Sequence, residues 1–348
     1  MRGSRLPVAD APQVSVLIPT HQRREALQAA LASLARQSAP AGTYEVIVCV
    51  DGSTDGTEEM LAAFEGPFEL RSVSQPQRGR AAACNAAFAQ ARGEVLIVLD
   101  DDMEVVPEFI ERHRRHHPPG SKLCVLGAAP VELNGSSPRA ARYVQAKFAA
   151  HLARLGEADY LNLPRSFYTG NASLRAELLG EAGGFDEAFT SYGNEDVELA
   201  LRLRAAGAEL RYDPEAVARQ HYGKGLRGLA ADTVAKGGTT VLLARTHPEI
   251  FGSLRLADPG EGSRPWLAAR AVLLRLSRRR AGVSRAVFGL AALLERLGLW
   301  RQPLFYRAAL DYAFWAGVTA ELRDSDQAEL ARLAAELDRG PIDLLLHG

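Results

Sequence analysis

The chain has 348 residues, 47% of them hydrophobic and 24% charged, enough apolar material for a full core in one large domain or in one domain with an appendage. Its 41 basic and 42 acidic side chains leave a net charge of −1, which removes any global electrostatic argument for nucleic-acid binding and makes every charge effect local. Cys49, Cys84 and Cys124 are odd in number, far apart and set among apolar residues; they read as buried free thiols in a reducing compartment, not as disulfides or zinc ligands.

In chain order, residues 1–13 hold no apolar signal core, and every charge-free run falls well short of the ~18 residues of a membrane-spanning helix, so the expected location is the cytoplasm. Val14–Ile18 ("VSVLI"), Val46–Val50 ("VIVCV") and Val95–Leu99 ("VLIVL") are short runs rich in β-branched residues, as in strands buried on both faces. Between them lie helical patterns. "RREALQAALASLARQ" puts Leu27, Leu31 and Leu34 on one stripe, and "GRAAACNAAFAQARG" is an alanine-rich stretch that Gly93 would cap. This alternation predicts right-handed βαβ units and an α/β fold with a mostly parallel sheet. Farther on, "KLCVLGAAPVEL" reads as strand, "RAARYVQAKFAAHLARL" as helix, and "DVELALRLRAAG" as a helix burying Leu199, Leu203 and Ala206 and ending at Gly207. A Gly/Pro/Ser stretch near residues 252–265 marks a boundary, giving a first domain at 12–254 and a helical, arginine-rich region at 264–348.

Ligands of an open parallel sheet bind outside the C-terminal ends of its strands. Here the three strands run into "PTHQRR", "DGSTDGT" and "DDDM". Two carboxylates about 5 Å apart repel by roughly 3 kcal/mol at an effective dielectric of 20, so Asp100, Asp101 and Asp102 call for a cation. A hard divalent ion, Mg2+ or Mn2+, uses one or two carboxylates and completes its shell with water or phosphate oxygens; a solvated acidic loop is the plain alternative. Asp51, between turn-forming residues, can accept from a base N–H or a ribose hydroxyl, or simply close an Asx-turn. The segment is neither a P-loop nor a dinucleotide fingerprint. Glu195 and Asp196 open a helix whose dipole favours ionised carboxylates, and an ionised carboxylate within reach of a hydroxyl is a general base. His221, followed by Gly223 and Gly225, could add a metal ligand from a loop that closes over substrate.

Taken together, "VSVLIPTHQR", "VIVCVDGSTDGT", "QRGRAAACNAAFAQARGEVLIVLDDDM", "GNASLRAELLGEAGGFDEAF", "GNEDVELALRLRAAG" and "VARQHY" resemble the family 2 glycosyltransferases of GT-A fold over roughly Val14–Leu254. "GGFDEAF" with the helix after it also resembles the acceptor-side half of galactosyl- and N-acetylgalactosaminyl-transferases. The resemblance implies an inverting hexosyltransferase that uses a nucleotide-diphosphate sugar, first of all a UDP-sugar, and a hydroxyl acceptor in polysaccharide or glycoconjugate biosynthesis. It implies nucleotide contacts at Pro19, Thr20, His21, Asp51 and Gly79, and a D-x-D motif at Asp100 and Asp102. Asp102 would be the direct metal ligand, Asp101 would lie near the ribose or metal, and His221 would be a further ligand. Asp196 would be the base, with Glu195 positioning the acceptor. "THQR" stands where the family has "TYNR", and Cys84 where arginine is usual. A nucleotidyltransferase would carry a glycine- and lysine-rich loop after its first strand, which is missing here. A non-catalytic nucleotide-sugar binder or membrane adaptor is the other alternative, though the acids it could have lost are all present.

Residues 264–307 carry ten arginines against one acid, Glu295, a net +9. Mixed with leucine and tryptophan, this pattern fits a peripheral contact with anionic lipid on the inner face of a membrane, and equally a solvated helical bundle. Nucleic-acid binding is disfavoured, since aromatic stacking motifs are absent.

Overall fold

The computed structural model describes residues 11–157, 160–164, 166–258, 260, 262–279, 282–298 and 303–324. The chain divides into two units: one runs to Gly135 and adds Val144–Thr190 and Glu195–Tyr222, and the other comprises Ser136–Tyr143, Ser191–Asn194 and everything from Gly223 onward.

In order, the elements to Tyr222 are β1 (Val14–Thr20), α1 (Arg24–Leu34), β2 (Tyr44–Asp51), α2 (Thr57–Ala62), β3 (Glu69–Gln75), α3 (Arg80–Phe88), β4 (Val95–Leu99), β5 (Met103–Val105), α4 (Phe109–Arg114), β6 (Leu123–Gly127), β7 (Val131–Glu132), α5 (Arg139–Leu155), β8 (Asn171–Arg175), α6 (Ala176–Glu181), α7 (Glu195–Ala205), β9 (Glu209–Asp213) and β10 (Ala218–His221). The seven-stranded sheet has the order β3-β2-β1-β4-β8-β6-β9, parallel except for β8, which runs antiparallel to both neighbours. A small second sheet joins β5, β10 and β7.

The expected α/β architecture follows from the three apolar runs. Alternate residues of a strand face opposite sides, and here both sets are apolar. Val14, Val16 and Ile18, with Val46, Val48, Val50 and Ile97, enter one core. Leu17, Ile47, Cys49, Leu96 and Val98 enter the other. Such strands are stable only with helices on both faces. All three cysteines are buried and unpaired, and burial pushes each thiol up to about 12.

One sequence expectation shifts, and one strand is new. The helix that Gly93 was to cap ends at Phe88, and Gly93 instead lies against β1, where a Cβ would come within 2.6 Å of Ser15 N. The segment "NASLR", too polar to read as a core strand, is β8. Its polar side chains are satisfied by a buried relay from α4 and the turn after it. Asn171 Nδ2 donates to the carbonyls of Ala128 and Ala216, so its Oδ1 accepts from His113 Nε2 at 2.9 Å. His113 Nδ1 must then accept the Ser173 hydroxyl at 2.8 Å, whose oxygen accepts from His117 Nε2 at 2.7 Å.

The second unit holds α8 (Leu226–Thr246), α9 (Arg264–Arg279), α10 (Gly282–Arg296) and α11 (Pro303–Asp324). Helices α8 and α11 meet backbone to backbone: a Cβ on Gly317 would stand 1.9 Å from Val234 O, and one on Gly237 2.1 Å from Phe314 O. Asp311, buried, accepts from Arg270, Arg255 and Trp266. Among the described residues no helix is long and apolar enough to cross a membrane.

The relay predicts acid sensitivity. Burial pushes His113 down to about 4 and His117 to about 3, whereas in the unfolded chain both rings bind protons below about 6.5. Their contribution is complete above that pH and is lost as pH falls toward 4. Urea unfolding at pH 7 and pH 5 should show a loss of about 2 kcal/mol per histidine, and His117→Asn, though less stable at pH 7, should show about half the pH-dependent loss.

Candidate functional site

The register that pairs Leu17 with Val98 brings Thr20, at the end of β1, level with the residues just past β4, and Thr20 Oγ1 donates to Asp101 Oδ2 at 2.8 Å. The loop after β1 is laced to the loop after β2. Gln22, at φ +54°, donates from its backbone to Ser53 Oγ at 2.9 Å, and Arg24 N donates to Asp55 Oδ2 at 2.9 Å. His21 Nδ1 donates to the Asp51 carbonyl at 2.6 Å, leaving Nε2 as its second nitrogen, and Pro19 pairs with Cys49 in the ladder just behind it.

Asp51 is 5% exposed, and its carboxylate fixes the turn before α3. Oδ1 accepts from Gln75 Nε2 at 2.8 Å and Arg78 N at 2.7 Å, and Oδ2 accepts from Gly79 N at 2.9 Å. With about four acceptor directions on a carboxylate, one remains for a ligand. Gly79 sits at φ +94°, and a Cβ there would lie 2.4 Å from Thr190 O, so only glycine fits.

Two arginines that the sequence reading passed over neutralise the acid triplet. Arg23 Nη1 donates to Asp102 Oδ2 at 2.6 Å and Asp101 Oδ1 at 3.1 Å. Burial alone would lower the Arg23 pKa, but the carboxylates of Asp101 and Asp102 raise it and keep the guanidinium charged. Burial pushes Asp101 up to about 6 and raises Asp102, against the pull of Arg23 in both cases. Arg80, the first residue of α3, donates through Nη2 to Asp100 Oδ1 at 2.7 Å and through Nη1 to Thr169 Oγ1 at 2.6 Å. The same Nη1 lies 3.9 Å from Glu195 Oε1. Arg80 therefore joins the acids past β4 to the start of α7. Its signal was its place directly after Gly79, at the start of a helix beside an acidic strand end.

Glu195 is buried, and its Oε2 has no hydrogen-bond partner within the protein. Burial, then the adjacent Asp196 charge, pushes Glu195 up to about 7. Asp196 is half-buried, and its Oδ1 accepts from Val197 N at 2.8 Å. His221 comes to the acids by its backbone: its N–H donates to Asp102 O at 2.9 Å, while its ring Nε2 pairs with Glu104 Oε1 at 2.9 Å. Gln220 Nε2 reaches Asp102 Oδ1 at 3.3 Å.

Among the described residues no group of three or more His, Cys, Asp and Glu side chains forms a metal cage. A hard divalent cation needs only one or two protein carboxylates when phosphate oxygens complete its shell. The donor chemistry of Asp100 and Asp102 fits that arrangement.

Removing Arg80 should leave Asp100 and Glu195 without their cation, so Arg80→Met is expected to cost about 3 kcal/mol in urea unfolding at pH 7. Arg80→Lys should recover only part, because an ammonium cannot span Thr169 and Asp100 as the planar fork does.

Residues 15–181 match the model of the family described as Glycosyl transferase family 2. The chain is 31% identical over 237 residues to validoxylamine A glucosyltransferase of Streptomyces hygroscopicus subsp. jinggangensis, covering 61% of this chain and 55% of that one. It is 28% identical over 324 residues to pre-mycofactocin glycosyltransferase of Mycobacterium tuberculosis, covering 87% and 65%. The chain thus spans about half the length of the first of these relatives and under two thirds of the second. The fold matches that of the mannosyltransferase PcManGT from Pyrobaculum calidifontis, solved with GDP-Man and Mn2+, at a TM-score of 0.60 and 22% identity over 90% of this chain and 88% of that one, as the GT-A expectation requires. The strands that end in Asp51 and in Asp100–Asp102 fall inside residues 15–181, the stretch that matches the glycosyl transferase family 2 model.

Proposed function

We propose that the chain transfers a sugar from a nucleotide-diphosphate sugar to an acceptor hydroxyl with inversion at the anomeric carbon. The observation that carries the reading is Arg80, whose guanidinium reaches both Asp100, on the donor side, and Glu195, beside the proposed base. A donor diphosphate at the sheet edge and an acceptor hydroxyl at the start of α7 would then meet across one side chain. We assign the transferase module to residues 12–254 and an appended region to 264–348, of which residues 325–348 lie outside the described residues.

In this reading Pro19, Thr20, His21, Asp51 and Gly79 frame the nucleotide, and Asp101 stands beside its ribose. A uridine nucleotide is the first choice by the family resemblance. A divalent cation, Mn2+ or Mg2+, held by Asp102 and Asp100 with His221 as an additional donor, would when bound neutralise charge developing on the departing diphosphate. Asp196 accepts the proton of the acceptor hydroxyl as that oxygen attacks from the face opposite the diphosphate. Glu195 in its protonated form donates a hydrogen bond that positions the acceptor, so a second negative charge is not buried beside the base. The acceptor is a carbohydrate, lipid-linked or other hydroxyl compound of polysaccharide or glycoconjugate biosynthesis. The relatives' names, both glycosyl-transferring, support the reaction class.

Asp196→Asn should lower kcat by a factor of 10² or more while leaving donor affinity within about threefold, since loss of a general base costs roughly 10²–10⁴. Retained turnover in that variant would reject the assignment. Glu195→Gln, which mimics the protonated acid, should keep kcat within about tenfold and remove an ionisation near pH 7 from the kcat profile. A thermal-shift panel of UDP-, GDP- and TDP-sugars with and without Mn2+ should show one donor that stabilises the protein only with metal present. Equal stabilisation without metal would dismiss the cation from donor binding.

A further inference from the structure

We propose that α9 and α10 form a docking surface for an anionic lipid bilayer. The large hydrophobic residues that stay exposed are concentrated there and at the start of α11: Val272, Leu276, Leu290, Leu293, Leu297 and Leu304 are 46–73% exposed. Among the described residues, the large hydrophobic side chain exposed to this degree elsewhere is Tyr192. Chance exposure scatters single residues; these recur with helical spacing. At 100° per residue, Leu290, Leu293 and Leu297 fall within about 60° of one another on α10 and just past its end. Val272 and Leu276 are one turn apart on α9.

The charges around this stripe select the occupant. Arg285 and Arg296, both exposed, lie along one flank of the α10 stripe, and exposed Arg275 sits between Val272 and Leu276 in sequence. Glu295 is the one acid in residues 264–307, and its carboxylate accepts the Tyr306 hydroxyl at 2.7 Å. Buried Arg270 is neutralised by Asp311 and adds nothing to the surface. The face is thus apolar along its ridge and cationic at its edge, with Glu295 the one acid against the ten arginines of residues 264–307. A second copy would bring the same arginines against themselves, whereas anionic headgroups complement them and the acyl boundary accepts the leucines. With 15 residues, α10 is about 22 Å long, too short to span the ~30 Å hydrocarbon core, so it lies in the interface plane. The inference is independent of the transferase reading.

The test is co-sedimentation of the full chain with phosphatidylcholine vesicles containing about 30% phosphatidylglycerol, and with pure phosphatidylcholine, at about 0.1 and 0.5 M salt. Binding at least tenfold stronger to the anionic vesicles, and largely lost at the higher salt, is expected. Leu290→Ser with Leu293→Ser, and separately Arg285→Glu with Arg296→Glu, should each weaken binding at least tenfold. Because these side chains are exposed, far-UV circular dichroism and the urea midpoint should not change. The proposal is overturned if the protein stays in the supernatant, binds both vesicle types equally, or binds as well after the leucine changes. Light scattering that shows a dimer dissolved by those same changes would overturn it in favour of a second copy.

Discussion

Three consecutive carboxylates at the end of a buried strand are the feature to which the rest of the site adapts. In water their repulsion would be modest, but Asp101 and Asp102 are 6% and 7% exposed, and a buried charge without a partner is among the costliest things a fold can hold. Counter-charge comes from two directions. Arg23 descends from the loop after β1, and Arg80 rises from the first turn of α3. A guanidinium suits this place because its fixed fork can serve two oxygens of different residues at once while staying charged when desolvated. The acids are therefore affordable only inside an assembled sheet, where both arginines have been delivered to one edge.

Delivery depends on the turns. Asp51 accepts the backbone N–H groups of Arg78 and Gly79, which fixes where α3 starts and so where Arg80 points. That turn closes only because Gly79 takes a left-handed backbone conformation with Thr190 packed where a Cβ would be. An aspartate that in sequence looks like a ligand contact is thus first a structural clamp, with one acceptor direction left over. The same economy holds at β8, where Asn171 and Ser173 are tolerated between two strands because α4 supplies His113, and the turn following it His117, in the tautomeric arrangement that satisfies both of them.

These two cases mark what sequence could and could not convey. Strands β1, β2 and β4 were legible because both of their faces are apolar, a pattern with few structural solutions, and the acids past β2 and β4 followed from where such strands must end. α1 and α7 were legible from the leucine stripes at Leu27, Leu31 and Leu34 and at Leu199 and Leu203. β8 was not, because polar residues inside a sheet become permissible only through partners about 60 positions away. Arg23 and Arg80 were passed over for a related reason: one arginine among 41 basic residues carries no mark of burial, and its role is set by tertiary placement beside the triplet. The ring of His221 illustrates the limit again, since the expected approach to the acids holds for its backbone while the imidazole pairs with Glu104.

The start of α7 shows what such burial achieves chemically. Glu195 and Asp196 are adjacent, and they differ in their exposure to solvent. Glu195 is buried with one oxygen unpartnered, and its carboxyl is pushed up to about 7. Asp196 is half-buried, and its Oδ1 accepts the backbone N–H of Val197 in the first turn of α7. Two adjacent carboxyl groups thus stand in unequal environments, one buried and one half-buried. Arg80, 3.9 Å from Glu195, pulls the Glu195 carboxyl down against its burial. That contact is too loose for a hydrogen bond and near enough for charge, so the guanidinium that pairs with Asp100 also acts on the acid beside Asp196.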